Sequence, residues 1–235
     1  MGEVSRGWLA RYARGVVGVT WPNYVWSIDR HSVATDGRTM LAVADNGRQE
    51  DEGIPAGLSR PVGRVRVYLG APDKPFAETT LERLLRFCDR IEYQFCENCK
   101  NWRVNLRHLC EHCDGSGWWW AEQTRPAWVG GILLDLDRLA YSLPTELEGE
   151  RVTLARHTSD ALAVTGPSWK VWVMGLKADH SSHQSKVYPT FHDDDVYLAM
   201  LHDPECRHML HDWLLERGDP YAAVVRRQLE AAEVA

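Results

Sequence analysis

The sequence predicts an α+β protein: an antiparallel sheet with short helices, one interrupting insertion, and a small helical unit at the end. Three observations lead there. Short apolar runs separated by turn residues occur in two blocks, residues 6–45 and 130–177. A polar stretch between them carries four closely spaced cysteines. Beyond residue 192 the apolar spacing becomes helical.

The elements follow in order. SRGWLARYARGVV places Trp8, Leu9, Tyr12 and Val16 at near-helical spacing. YVWSID, SVAT and RTMLAVAD read as strands, the last two joined at Asp36-Gly37, where a type I′ turn needs positive φ at both central positions. NGRQEDEGIPAGLSRPVG reads as a loop and RVRVYLG as a half-buried strand. Thr79 with Glu82 three residues on forms a capping box, opening the amphipathic helix LERLLRFCDRI. After the cysteines come GGILLDLD (strand), LDRLAYSL (helix), then RVTLARHT, DALAVTG and KVWVMGLK (strands). DHSSHQSKVYPTF reads as a linker, and the remainder as helices broken at Gly218-Asp219-Pro220.

The net charge of −6 is unevenly spread. Residues 190–235 hold four Arg against ten Asp plus Glu, leaving 23 of each sign in the rest. An acidic tail is a poor nucleic-acid surface, whereas a neutral body can carry local basic patches. No apolar run reaches the roughly 20 residues that span a bilayer, so no membrane partner is expected. MGEVSRGWLARYARG lacks the apolar core of a signal peptide, and Arg6 breaks the myristoylation pattern. The expectation is a cytoplasmic chain.

Two segments bring in known families. The order helix, strand, strand, strand over residues 6–45 is echoed over 130–177. ATDGRTMLAVAD and LAVTGPSWKVWVMGLK then resemble hairpins of the DNA sliding clamps, the processivity rings of bacterial replication. This resemblance implies a clamp-like domain over residues 1–178, with DNA or a replication-type protein as partner and assembly into oligomers. Clamp rings contain six such domains and this chain has material for one. DWLLERGDPYAAVVRRQLE is similar to the bacterial repeat-companion domain, matching at Asp212, Trp213, Leu214, Glu216, Arg217, Gly218, Asp219, Pro220, Arg227, Gln228 and Leu229. That implies a helical unit over residues 192–235, separable from the body through a linker at 179–191.

Cys96-Glu-Asn-Cys99 and Cys110-Glu-His-Cys113 are two Cys-x2-Cys pairs ten residues apart. Such spacing lets four thiolates converge at about 2.3 Å on one zinc ion, and without an export signal metal ligation outweighs disulfides. The second pair, continuing Asp-Gly-Ser-Gly, resembles the DnaJ-type zinc element; Lys100-Asn101-Trp102 replaces the glycines after the first. The expectation is a zinc-knuckle insertion over residues 91–127, with Zn2+ bound by Cys96, Cys99, Cys110 and Cys113. A redox dithiol and unligated core cysteines are the alternatives. Four sulfurs leave no open position for water, so the metal is structural. Trp118, Trp119 and Trp120 read as a strand covering the zinc turn or, with Lys100, Arg103 and Arg107, as a stacking platform for unpaired bases.

His180, His183, His192, Asp193, Asp194 and Asp195 could be drawn as a metallohydrolase site, but they fit a solvated linker entering an acidic helix start. His202, Cys206, His208 and His211 spread over more than one helix face. No nucleophile elbow, phosphate loop or paired-carboxylate signature is present. The sequence points to a non-catalytic zinc module that binds DNA or a replication-type partner. A protein-interaction adaptor is the alternative, and a hydrolase using the His/Asp linker the third reading.

Overall fold

The computed structural model describes residues 8–9, 12, 25–36, 38–44, 59–70, 73–88, 125–157, 160–176 and 187–233. Its centre is a seven-stranded antiparallel sheet. The strands are β1 (Trp26–Ile28), β2 (His31–Thr35), β3 (Thr39–Ala44), β4 (Asp73–Thr80), β7 (Arg151–His157), β8 (Ala161–Thr165) and β9 (Trp169–Met174), in the order β1-β2-β3-β9-β8-β7-β4. A separate hairpin pairs β5 (Pro126–Val129) with β6 (Ile132–Asp135). The helices are α1 (Ser59–Gly70), α2 (Leu81–Phe87), α3 (Leu136–Ser142), α4 (Asp195–Leu201), α5 (Arg207–Glu216) and α6 (Ala222–Glu233).

The two echoing sequence blocks meet in one sheet. Meander β1–β3 and meander β7–β9 join along their third strands, Leu41 opposite Val171. Each meander is preceded by helix: Trp8, Leu9 and Tyr12 before β1, α3 before β7. These two helices touch, since Trp8 Nε1 donates to the Ser142 carbonyl at 3.1 Å and Tyr12 lies 5.2 Å from Tyr141. The arrangement is a pseudo-two-fold unit of helix and three strands, repeated.

Strand alternation gives the sheet two different faces. One carries Leu41, Val43, Val152, Leu154, Leu162, Val164, Trp169, Val171 and Val173 into the main core, beneath the helices and the β5–β6 hairpin. The other is narrower: Ile28, Val33, Met40, Ala42, Ala155, Ala163 and Trp172 pack under Val65, Tyr68 and Leu69 of α1.

The β2–β3 turn departs from the expected type I′ turn, since Asp36 does not take a positive φ and its side chain holds the turn instead. Asp36 Oδ1 accepts the amides of Arg38 and Thr39 at 2.8 and 2.7 Å, closing the β2–β3 hairpin. Arg138 from α3 reaches the other carboxylate oxygen at 2.7 Å, tying the first block's turn to the second block's helix. Gly130 and Gly131, at φ 57° and 76°, turn β5 into β6 as a type I′ pair demands. At Gly218 (φ 64°) α5 ends in a Schellman motif, with Gly218 N–H donating to the Leu215 carbonyl and Asp219 N–H to that of Leu214. Asp219 Oδ1 then accepts the Tyr221 amide at 2.8 Å at the entry to α6. The Gly-Asp-Pro string is thus one helix stop and the next helix start.

Three further expectations are corrected. RVRVYLG is the second half of α1, not a strand. Its apparent alternation conceals Val65, Tyr68 and Leu69 at i, i+3 and i+4, the spacing that meets the sheet, while Val67 is 61% exposed. The cap of α2 is Thr80, whose hydroxyl accepts the Arg83 amide at 3.3 Å; Thr79 instead donates to Asp193 at 2.6 Å. DKPFAETT, unassigned from sequence, is edge strand β4, where Pro75 is tolerated beside a register shift.

The end of the chain packs on the body. Trp128 N–H donates to the Pro189 carbonyl (2.8 Å) and accepts at its own carbonyl from Phe191 N–H (2.7 Å), so the last residues of the expected linker lie along β5. Tyr197, Leu198, Met200, Leu201, Leu210 and Leu214 are buried in the main core cluster with Leu84 and Phe87 of α2.

Candidate functional site

The region that positions the cysteine segment is the stem from which it leaves and returns. Outgoing, α2 ends at Cys88, buried at the bottom of the helix. Returning, Arg125 stands one residue before β5. Arg125 Nη2 donates to the Cys88 carbonyl at 2.6 Å, and its Nε donates to Asp137 Oδ1 at 2.8 Å. The backbone closes the same corner, with Leu136 N–H donating to the Arg125 carbonyl at 2.9 Å. Cys88 and Arg125, the described residues on either side of the cysteine segment, therefore meet at one hydrogen-bonded point.

This corner is anchored in buried charge. The Asp137 side chain is 5% exposed and would be costly there without Arg125. Asp135, the N-cap of α3, accepts the Asp137 amide at 3.1 Å. Burial pushes the Asp135 carboxyl above its ordinary value, and the neighbouring Asp137 charge adds to the shift. On the other side, His202 contacts the Phe87 carbonyl at 3.1 Å through Nε2, so the tail also abuts the stem.

A second polar junction joins α2 to α4. Arg83 Nε donates to Asp195 Oδ1 at 3.0 Å and Nη1 to Asp193 Oδ1 at 3.2 Å; Arg86 reaches Asp195 at 3.5 Å. The hydrogen bond from Arg83 holds the Asp195 carboxyl below its ordinary value. A cavity of about 220 Å3 opens beside this junction, lined by Glu78, Thr79, Thr80, Arg83, Arg151 and Asp193.

The expected zinc ligands Cys96, Cys99, Cys110 and Cys113 lie outside the described residues, as do Lys100, Arg103, Arg107 and Trp118 to Trp120. So do His180 and His183. The described part of the His/Asp cluster is engaged in structure. His192 Nε2 meets Asp219 Oδ2 at 2.8 Å, Asp194 caps α4 by accepting the Val196 and Tyr197 amides, and Asp193 and Asp195 pair with Arg83. His202 and Cys206 face different partners, Phe87 and Asp203, and His211 lies beside Asp212. Among the described residues no group of three or more His, Cys, Asp or Glu is gathered as a metal site.

Sequence reasoning missed Arg125 and Asp137. In LLDLD, where a strand turns directly into a helix, the capping signal points to Asp135 and leaves no local mark on Asp137. It also placed Arg125 to Ala127 in the insertion, whereas the described structure has them in the body, Pro126 and Ala127 as part of β5.

No protein-family model matches the chain, and no curated protein aligns with it. Among solved structures, it is similar to a DNA polymerase sliding clamp from Pseudomonas aeruginosa, at 11% identity and a TM-score of 0.35 over 73% of this chain and 63% of the clamp. The chain thus spans less than two thirds of that clamp's length. No helix among the described residues is long and apolar enough to cross a membrane.

Proposed function

We propose that the chain is a zinc-binding interaction module. The body is a stage, and residues 89–124 are the recognition element, folded around one zinc ion held by Cys96, Cys99, Cys110 and Cys113. The observation that carries this reading is the closed stem. A segment whose two ends are fastened at one point can be ordered by its own metal without help from the sheet. A stretch of roughly 30 residues buries too little apolar surface to order itself, whereas zinc–thiolate binding supplies folding free energy directly.

The proposed partner is DNA with unpaired bases. Lys100, Arg103 and Arg107 supply cations between the cysteine pairs, and Trp118, Trp119 and Trp120 supply stacking faces. The repeated unit of helix and three strands supports reading the body as a clamp-type scaffold, with further copies of the chain as assembly partners and a replication-associated role.

A second reading, a protein adaptor, has one observation in its favour. The acidic tail packs against α2, the helix that ends at the stem, which places excess negative charge where a polyanion would approach.

Fluorescence anisotropy of labelled single-stranded DNA against the zinc-loaded full chain separates them. The DNA reading expects binding that weakens linearly in log–log form with salt as counterions are retained, and that fails when Lys100, Arg103 and Arg107 are all changed to Ala. No binding at low salt overturns it and leaves the adaptor reading.

A further inference from the structure

The narrow face of the sheet has a polar centre that the apolar residues around it do not explain. His157, fully buried on β7, holds Asp73 Oδ1 at 2.7 Å through Nδ1. Lys170 Nζ pairs with the other Asp73 oxygen and lies over the Trp172 ring, 4.8 Å from its centroid. Tyr68 of α1 stacks on the imidazole at 4.6 Å and meets Trp172 edge-on at 6.4 Å. Ala155, Ala161 and Ala163 form the floor that makes room for three rings.

Two polar atoms in this centre are buried without a partner among the described residues, His157 Nε2 and Trp172 Nε1. A carboxylate only accepts, so Nδ1 carries the proton shared with Asp73. Trp172 Nε1 can only donate. Leaving either atom without a hydrogen-bond partner in the interior is costly. The ring centroids are 6.0 Å apart at 75°. Two hydrogen bonds of about 2.9 Å through one oxygen span up to about 5.8 Å.

We propose that a single buried water molecule bridges these two atoms, accepting from Trp172 Nε1–H and hydrogen-bonded to His157 Nε2. The site is built by three elements at once. Asp73 orients the imidazole through Nδ1, Lys170 balances Asp73, and Tyr68 closes the site from α1. The water therefore ties β7 to β9 across β8, beneath the Tyr68 ring of α1.

The test uses 15N-labelled full chain with its zinc. The Trp172 indole resonance is assigned by its loss in Trp172→Phe. A nuclear Overhauser cross-peak from that indole proton to the water frequency, with the sign of a long-lived contact, is the expected result. His157→Phe should abolish the cross-peak while leaving the amide spectrum of β8 in place; persistence of the peak overturns the bridge. Should that variant fail to fold, a high-resolution crystal structure of the unaltered chain decides. Density within about 3.2 Å of both nitrogens supports the proposal. A direct protein partner for either atom, or no density between them, overturns it.

Discussion

The two faces of the sheet are held by different physics. The broad face is largely apolar: Leu154, Leu162, Val164, Val171 and Val173 are each fully buried against helices from both halves of the chain. Each such side chain contributes about 2 kcal/mol by leaving water, and neighbours of similar shape could replace it. The narrow face is centred on Asp73, His157, Lys170 and Trp172, whose burial is tolerable only while each polar group keeps its partner. A core of the first kind fails by degrees. The second kind fails when one partner goes.

The largest expected effect concerns the broad face. Deleting residues 190–235 strips Tyr197, Leu198, Met200 and Leu201 from the core shared with Leu84 and Phe87. The truncated chain should lose cooperative thermal unfolding, seen by circular dichroism. A sharp transition at the full-length midpoint would make the tail the separable unit its charge bias suggests.

Next come single changes, one on each face. Asp73→Ala leaves His157 and Lys170 without their carboxylate and should cost about 3–5 kcal/mol in urea unfolding. Leu154→Ala, on the broad face, should cost about 3 kcal/mol as a cavity. The contrast sharpens with Lys170→Met: it spares packing volume yet should remain clearly destabilising, because Asp73 loses its cation. A neutral Lys170→Met would remove the distinction between the faces.

At the stem, Arg125→Ala should cost about 2 kcal/mol by taking the Arg125 charge away from the nearly buried Asp137. It should also raise protease cleavage between residues 88 and 125, while Arg226→Ala on the surface of α6 changes neither.

The smallest effect is the acid response of the α2–α4 junction. Asp195 has a folded value below its ordinary one because Arg83 donates to it, so its stabilisation is present above about pH 4 and is lost as pH falls through the lowered folded value. Asp203, lowered first by the Glu205 amide and then by Cys206, adds in the same direction. Thermal midpoints of the unaltered chain and Asp195→Asn should converge as pH drops below about 4. A constant gap from pH 7 to pH 2.5 would remove the pair from the account.

Much of this fold was legible in sequence because the strands of the two meanders are short, apolar and punctuated by turns. ATDGRTMLAVAD announced its hairpin through Asp36, and DALAVTG with KVWVMGLK announced β8 and β9. Legibility failed where tertiary context decides. Arg64 to Leu69 satisfy both a period of 2 and one of 3.6, and only the alanine floor beneath selects helix. Edge strand β4 carries Pro75 and charged residues because one side of it has no strand partner, so it lacks a strand's composition. Asp73, His157 and Lys170 are 84 and 97 positions from first to second and first to last, and no local pattern brings them together. The stem at Arg125 was missed for the same reason: its partners are Cys88 and Asp137, on two separate helices.

The claim that metal orders the cysteine segment is tested most directly by elemental analysis of the purified chain beside Cys110→Ser. The account predicts one zinc per chain in the unaltered protein and loss of that zinc in the variant. It predicts a shift in tryptophan emission with the loss, from Trp118 to Trp120, while the β2–β3 hairpin keeps its amide spectrum. Equal zinc in both proteins, or none in the unaltered chain, would contradict it.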